Sequence, residues 1–280
     1  MVHYFTEENS ADVVIERLQN AADPRFRQIM EAAIRHLHGF VKEVEPTMEE
    51  WMTAIEFLTA TGQMCDDKRQ EWILASDTLG VSMLVETINH RAHDGRTEAT
   101  VLGPFHVDGA ATLEMGANIA RDEHGEPCVV SGRVLDRDGN PIEGAVLDVW
   151  QTNGAGFYDV QQPDEQPEMN MRGKFVTGAD GRYTFRTVKP VSYPVPTDGP
   201  VGRMLDAMGR HAYRPAHIHF IVTAPGYEPV VTHIFVEGDP YIESDAVFGV
   251  KQSLIVPFTQ SAGDDALWTA AFDFTLAAAA

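Results

Sequence analysis

Ala216–Ala224, AHIHFIVTA, and Val230–Gly238, VVTHIFVEG, decide how the second half of this chain folds. Both runs are short and rich in β-branched and aromatic residues, and Pro225-Gly226 between them is a turn signal. Runs of this kind read as strands. Alternate side chains of a strand share a face, so Ile218 and Phe220 point one way while His217 and His219 point the other. Two residues advance the chain by about 7 Å, which lets both imidazoles converge on one metal ion. The same spacing also fits a pair of hydrogen-bonded core histidines.

Outward from these runs, CVVSGRVLD, GAVLDVWQ, KFVTG and GRYTFRTV have the same character and are separated by Asp-Gly and Gly-Asn-Pro turns. Several short strands at this spacing predict an antiparallel sandwich or barrel. Before residue 90 the period changes to that of helices. Asp23-Pro24 forms an N-cap and first helical position, followed by Phe26, Ile29, Met30, Ala33, Leu37, Phe40, Val41 and Val44 at helical spacing. Thr47 to Glu50 is a capping box for a helix whose inner face carries Trp51, Ile55 and Leu58. EWILASDTLG and VSMLVETINH read as further helix, and HRAHDGRTEAT as a polar linker. The expected fold is α+β: a helical N-terminal domain over residues 1–98, then an all-β antiparallel sandwich over 99–280. There is no internal repeat, and the terminal run Ala277 to Ala280 reads as a frayed end.

Composition narrows the function classes. The 280 residues, 44% hydrophobic and 22% charged, are those of an ordinary globular protein. Forty-two Asp and Glu against 21 Lys and Arg give a formal charge of -21, which argues against nucleic acid or an anionic membrane surface as partner. Cys65 and Cys128 lack the spacing of a zinc or redox motif, so a reducing cytoplasm is the expected location. The N-terminus lacks the pattern of a secretory leader, and no apolar run reaches the length of a membrane span.

Two histidines do not hold a metal alone. A cupin pattern requires a glutamate four or five positions after the second histidine, where Thr223 and Ala224 stand. A zinc site is open to His211, His233 and many carboxylates, and nothing local selects among them. Two tyrosines occupy unusual loops: Tyr158 in TNGAGFYDV, and Tyr193 in KPVSYPVPTDGP, where four prolines stiffen the backbone. A stiff loop suits a side chain held at fixed geometry, and equally a ring packed over a hairpin.

GRVLDRDGNPIEGAVLDVWQTNGAGFYD, followed by GADGRYTFRTVKPVSYPVPTDGPVGRMLDAMGRHAYRPAHIHFIVTAPGY, resembles the intradiol ring-cleavage dioxygenases, non-haem iron(III) enzymes that split aromatic 1,2-diols. The resemblance extends over nearly the whole chain. It implies one Fe(III) per chain, held by Tyr158 and Tyr193 as phenolates and by His217 and His219 as neutral imidazoles. Phenolate is a hard anionic donor that suits the ferric ion, and its pKa of about 10 is overcome only by an adjacent cation. The resemblance further implies that Tyr193 takes a proton from the incoming diol and that Arg214 stabilises the ring as charge moves into it. Pro215 interrupts the strand, so alternation does not say which way Arg214 points.

SDTLGVSMLVETIN, TEATVLGPFHV and YIESDAVFGVK are similar to the branch of that family that acts on hydroxyquinol, 1,2,4-trihydroxybenzene, and yields maleylacetate. Leu74 and Asp77 fall on one face of a helix, where Asp77 would accept a hydrogen bond from the third hydroxyl. An aspartate in the last helical turn is opposed by the helix dipole and needs a reason to be there. By the same resemblance Gly103, Pro104, Phe105, Val195, Pro196 and Val247 line the pocket. His233 stands where catechol-cleaving members carry glutamine. Catechol or chlorocatechol cleavage to cis,cis-muconates is the alternative within the family. DRDGNPIEG and DGRYTFRTV also resemble transthyretin-like sandwiches without catalysis, and a zinc hydrolase built on His217 and His219 is a third class. The family suggests a homodimer joined through the helical part, with lipid held between the subunits.

Overall fold

The structure, a computed structural model, describes residues 4–66, 69–91, 95–122, 124–261 and 267–279. The chain divides into two compact units, Met1–Ala60 and Thr61–Ala280.

The first unit contains helices α1 (Ser10–Glu16), α2 (Pro24–Val44) and most of α3 (Met48–Gln63). Asp23 caps α2, its Oδ1 accepting from Arg25 N at 2.8 Å, with Pro24 in the first turn. Thr47 and Glu50 form the reciprocal box read from the sequence: Glu50 Oε2 accepts from Thr47 N at 2.8 Å and Thr47 Oγ1 from Glu50 N at 3.2 Å. Such caps are worth about 1 kcal/mol each and fix where the helices begin. The apolar faces do not point inward as expected. Leu37 and Phe40 of α2 are 63% and 59% exposed, Trp51, Ile55 and Leu58 of α3 are exposed as well, and only Ile34 of α2 is buried. Helical periodicity identifies a face that seeks burial without identifying what covers it.

The second unit begins with α4 (Glu71–Thr78) and α5 (Val81–Asn89), separated at Gly80, whose φ of +73° ends the first helix in the left-handed region. Two five-stranded sheets follow. One is built on β1 (Pro127–Leu135), which pairs with β4 (Arg182–Val188), with β11 (Trp268–Ala271) and with β12 (Phe274–Thr275), and β10 (Thr259–Gln260) edges β11. The other runs β3 (Arg172–Val176), β2 (Val146–Trp150), β7 (His217–Thr223), β8 (Val230–Val236), β9 (Ile255–Val256). A two-stranded ladder, β5 (Tyr193–Pro194) with β6 (Tyr213–Arg214), flanks them, and α6 (Pro200–Ala207) lies between these two strands in sequence.

The sheets are mixed, not purely antiparallel as the turn signals predicted. β1 pairs parallel with β11 and β12, and β8 pairs parallel with β9. Tight turns announce hairpins, whereas these parallel partners are short strands of two to four residues, distant in sequence from β1 or separated from β8 by a long connection. Two further expectations change. Residues 92–94 of the expected linker lie outside the described residues, but from Thr97 onward the segment is bonded to strands: Thr97 N donates to Thr275 O and Thr100 N to Val231 O, both at 2.9 Å. The alanine run is not frayed through Ala279, since Glu228 N donates to Ala277 O and Ala279 N to Gly226 O; Ala280 lies outside the described residues.

Between the sheets lies one apolar core that includes Val130, Leu147, Phe175, Phe185, Ile218, Phe220 and Phe274. Ile218, Phe220 and Val222 of β7 are fully buried there, each contributing roughly 1.5–3 kcal/mol, so the strand that carries the two histidines is anchored by its other face.

Candidate metal centre

On the face of β7 away from the core, His217 and His219 stand as the alternation predicted, each 2% exposed. Strand register sets Trp150 of β2 and His233 of β8 directly beside His219, and Phe235 beside His217. Trp150 stacks on the His219 ring with centroids 4.6 Å apart. The ladder of β5 and β6 places Tyr193 opposite Arg214, immediately before Pro215 leads into β7. Tyr158 arrives on the loop after β2. Asn153 folds that loop by accepting through Oδ1 from Ala155 N and Phe157 N, and the buried Asp159–Arg172 pair, with Arg172 NH2 2.6 Å from Asp159 Oδ1, holds its far end. Gly156 takes φ +86°, and a Cβ there would sit 3.3 Å from Tyr193 Cβ, so the two tyrosine loops meet at a glycine.

These elements bring four polar atoms to one point. Tyr158 Oη lies 2.9 Å from both Tyr193 Oη and His219 Nε2, Tyr193 Oη lies 3.4 Å from His217 Nε2, and the two Nε2 atoms are 3.1 Å apart. Ligands about 2.0–2.1 Å from a shared metal sit roughly 3.0–3.4 Å from one another, depending on the coordination angle. The His217 tautomer suits this role: Pro215 O can only accept, so Nδ1, at 2.6 Å, carries the proton and Nε2 presents its lone pair to the cluster. Burial pushes the His217 and His219 imidazoles well below their ordinary pKa, keeping both neutral, with the Arg214 charge acting in the same direction. Burial also holds the Tyr158 and Tyr193 phenols above their ordinary value, against a downward pull from Arg214. Four converging buried donors, two neutral imidazoles and two phenols whose ionisation requires a nearby cation, fit a hard trivalent ion.

His233 is a third imidazole beside the pair, its ring centroid 4.1 Å from that of His219, and the three rings could together hold a metal. Its Nδ1 is bonded to Thr100 Oγ1, and its Nε2 has no hydrogen-bond partner among the described residues. The Nε2 atoms of His217 and His219 each face a phenol oxygen, at 3.4 and 2.9 Å, whereas the Nδ1 of His233 is occupied by Thr100, which favours the two-tyrosine, two-histidine set.

Arg214 points inward. Its NH1 is 3.3 Å from His217 Nε2, and its Nε and NH2 face the Asp245 carboxylate at 3.2 and 3.4 Å. Burial alone would weaken its hold on the proton, but Asp245 and the two phenols outweigh it and raise its pKa. Asp245 also accepts from Val247 N and Gly249 N, which shapes the turn carrying Val247. Sequence reading missed Asp245, although it lies within YIESDAVFGVK; no local pattern marks the partner of an arginine 31 positions earlier. Trp150, Arg172 and Thr100 were missed for the same reason.

Two of the expected pocket residues touch this centre. Gly103, φ +76°, brings its backbone so close to His219 that a Cβ would lie 3.2 Å from the ring, and Phe105 stacks on Tyr158 with centroids 4.6 Å apart. Leu74, Val195 and Val247 are buried, Pro196 is half-buried and Pro104 is exposed. Asp77 is 4% exposed, and burial raises its carboxyl pKa against the lowering effects of Ser82 and Arg214, while Asp245 adds to the rise. It is therefore no solvated surface carboxylate.

The residues match two family descriptions, "Catechol dioxygenase N terminus" over 23–97 and "Dioxygenase" over 101–278. The chain is 61% identical to hydroxyquinol 1,2-dioxygenase of Rhizobium sp. strain MTP-10005 over 91% of its own length and 86% of the relative's. It is 50% identical to 6-chlorohydroxyquinol 1,2-dioxygenase of Cupriavidus pinatubonensis, covering 97% and 98% of the two chains. Its fold is similar to that of hydroxyquinol 1,2-dioxygenase from Pseudomonas putida DLL-E4, with a TM-score of 0.92 and 50% identity over 98% of this chain and 99% of that one.

Proposed function

Since the chain belongs to the intradiol ring-cleavage dioxygenase family, whose members depend on non-haem iron(III), we propose that it is a hydroxyquinol 1,2-dioxygenase with one ferric ion per chain. The ligands in this reading are Tyr158, Tyr193, His217 and His219. The observation that carries it is the meeting of these four residues' polar atoms at 2.9 to 3.4 Å inside a buried cluster. Ferric iron held there would supply the chemistry of the reaction by drawing electron density from the bound diol. The chain's own residues then bind, orient and move protons. Tyr193, on a strand of two residues and at the longer 3.4 Å contact, takes a proton of the incoming diol at its Oη. Arg214, held by Asp245 and itself buried, presents a fixed positive charge to the ring as charge builds there. Leu74, Gly103, Pro104, Phe105, Val195, Pro196 and Val247 form the wall.

Asp77 directs the choice of diol. A buried carboxylate that gains a further hydrogen bond from a third hydroxyl favours hydroxyquinol over catechol, which has no hydroxyl to offer it. The relatives acting on hydroxyquinol and 6-chlorohydroxyquinol favour the same substrate class, with cleavage between the two adjacent hydroxylated carbons giving 3-hydroxy-cis,cis-muconate or its tautomer maleylacetate. The functional division falls between residues 98 and 99. The helical part joins two copies in a homodimer with lipid at the join, a reading supported by the exposed apolar side chains of α2. No helix among the described residues is long and apolar enough to cross a membrane, and Cys65 and Cys128 are free thiols, which agrees with a cytoplasmic enzyme. Measuring kcat/KM for hydroxyquinol and catechol with wild type and Asp77→Ala tests the reading: the wild type favours hydroxyquinol, and the variant shrinks that preference mainly by harming hydroxyquinol. A wild type that prefers catechol, or stoichiometric zinc without a visible absorption band, overturns it.

A further inference from the structure

In the reading above, Asp77 and Val247 line one pocket from segments about 170 positions apart in sequence, so their spacing must be held by something other than the backbone that joins them. Asp77 sits in the last turn of α4, followed by Thr78 and by Gly80 at φ +73°. Val247 lies in the turn 245–249, folded around the Asp245 carboxylate, with Phe248 at φ +60°. Arg210, just beyond α6, touches both. Its NH1 donates to Thr78 O at 2.5 Å, its NH2 donates to Ala246 O at 2.9 Å, and its guanidinium lies over the Phe248 ring at 4.8 Å. Phe248 in turn packs at Gly80, where a Cβ would be 3.3 Å from its ring.

The chemistry of these contacts is specific to arginine. A planar fork can donate in two directions at once, to a helix-end carbonyl and to a turn carbonyl, whereas a lysine ammonium offers no such fixed geometry. The cation also sits at the carbonyl end of α4, the end where the helix dipole opposes the neighbouring Asp77 carboxylate, so it offsets the feature that makes an aspartate there unfavourable. Ala246 N donates to Tyr213 O at 3.1 Å, which ties the same turn to β6 beside Arg214. The grip therefore extends from α4 through the turn to the arginine of the reactive centre.

We propose that Arg210 is a positioning residue for substrate selection, bridging Thr78 O and Ala246 O so that Asp77 and the Val247 turn stand at the separation a trihydroxylated ring requires. The inference rests on the reading of Asp77 as acceptor of the third hydroxyl. Among the described residues, the side-chain contacts of Arg210 go to Thr78 O, Ala246 O and the Phe248 ring, and not to the four metal-ligand candidates. Its loss acts on the fit of the third hydroxyl and not on the iron.

The test compares wild type, Arg210→Ala, Arg210→Lys, Asp77→Ala and the Asp77→Ala/Arg210→Ala double variant, each iron-loaded, on hydroxyquinol and catechol, with the visible phenolate band recorded for each. Arg210→Ala lowers the hydroxyquinol-to-catechol ratio of kcat/KM by about tenfold, mainly through the KM for hydroxyquinol, and leaves the band in place; coupling within one hydrogen-bonded network has this size. Arg210→Lys recovers part of the ratio, and the double variant shows a ratio no lower than Asp77→Ala alone. An unchanged ratio in Arg210→Ala, equal losses on both diols, or additive losses in the double variant overturns the inference. Should Arg210→Ala fail to fold, Arg210→Lys and Arg210→Gln carry the same ratio measurement. A collapse of the ratio in Asp77→Ala with none in the Arg210 variants sinks this inference alone, whereas no effect in Asp77→Ala sinks the reading of Asp77 on which it stands.

Discussion

At the scale of single residues the centre depends on a buried charge that is paired. Arg214 and Asp245 are 4% and 5% exposed, and the carboxylate also serves two turn amides. Asp245→Ala leaves the guanidinium buried without its partner, a change that typically costs about 3–5 kcal/mol, and urea unfolding should register a loss of that size. Asp245→Asn keeps an acceptor in place and should lose less; variants as stable as wild type would show that the pair carries no stability. Arg214→Ala should retain the iron colour while turnover falls about 10²–10³-fold, since the group acts on the ring. Loss of iron in that variant would reassign Arg214 to holding His217, whose Nε2 lies 3.3 Å away. The legibility of these residues differed for physical reasons. The shared face of His217 and His219 was readable because strand alternation is local, whereas the two tyrosines were picked out by the family resemblance, since their proline- and glycine-marked loops fit a packed ring equally well. The direction of Arg214 was hidden by Pro215, and Asp245 was hidden because an ion pair across 31 positions leaves no periodic trace.

At the scale of elements, what was local was readable and what depended on a partner was not. Both helix caps at Asp23 and Thr47 form as their sequences specify, because the donor and acceptor lie within three residues of each other. The parallel pairing of β1 with β11 joins Cys128 to Trp268, a contact no turn announces. The outward apolar face of α2 is the same kind of case: period 3.6 was correct, and the covering surface was absent from the pattern. Contiguous exposed apolar side chains on a helix mark an association site. Replacing Leu37 and Phe40 together with glutamate should therefore convert the protein from twice the chain mass of 30.9 kDa to a single chain in light scattering, with little change in the unfolding transition because both side chains are exposed. A wild type that is already monomeric at working concentration would remove the homodimer from the proposed function.

At the scale of the whole molecule, the sandwich buries a cluster of two phenols and two imidazoles whose polar atoms meet at one point. The core side of β7 fixes the strand, the loops after β2 and before α6 carry the tyrosines to it, and Trp150 and Phe105 close over the rings. Burial holds both phenols in their neutral form, so their ionisation depends on a neighbouring cation. A ligand that binds the native state and not the unfolded one stabilises by RT ln(1 + [L]/Kd), about 4 kcal/mol at a thousandfold excess over Kd. For a body of this size each kcal/mol moves the melting midpoint by about 2–4 °C, so chelating the iron should lower Tm by about 8–16 °C and abolish the visible band together. Restoring ferric ion should recover both at one equivalent per chain, and Tyr158→Phe, which deletes one phenolate, should show a smaller thermal shift and an altered band. Zinc that restored Tm equally, without colour and with full occupancy, would assign the four groups to a different metal.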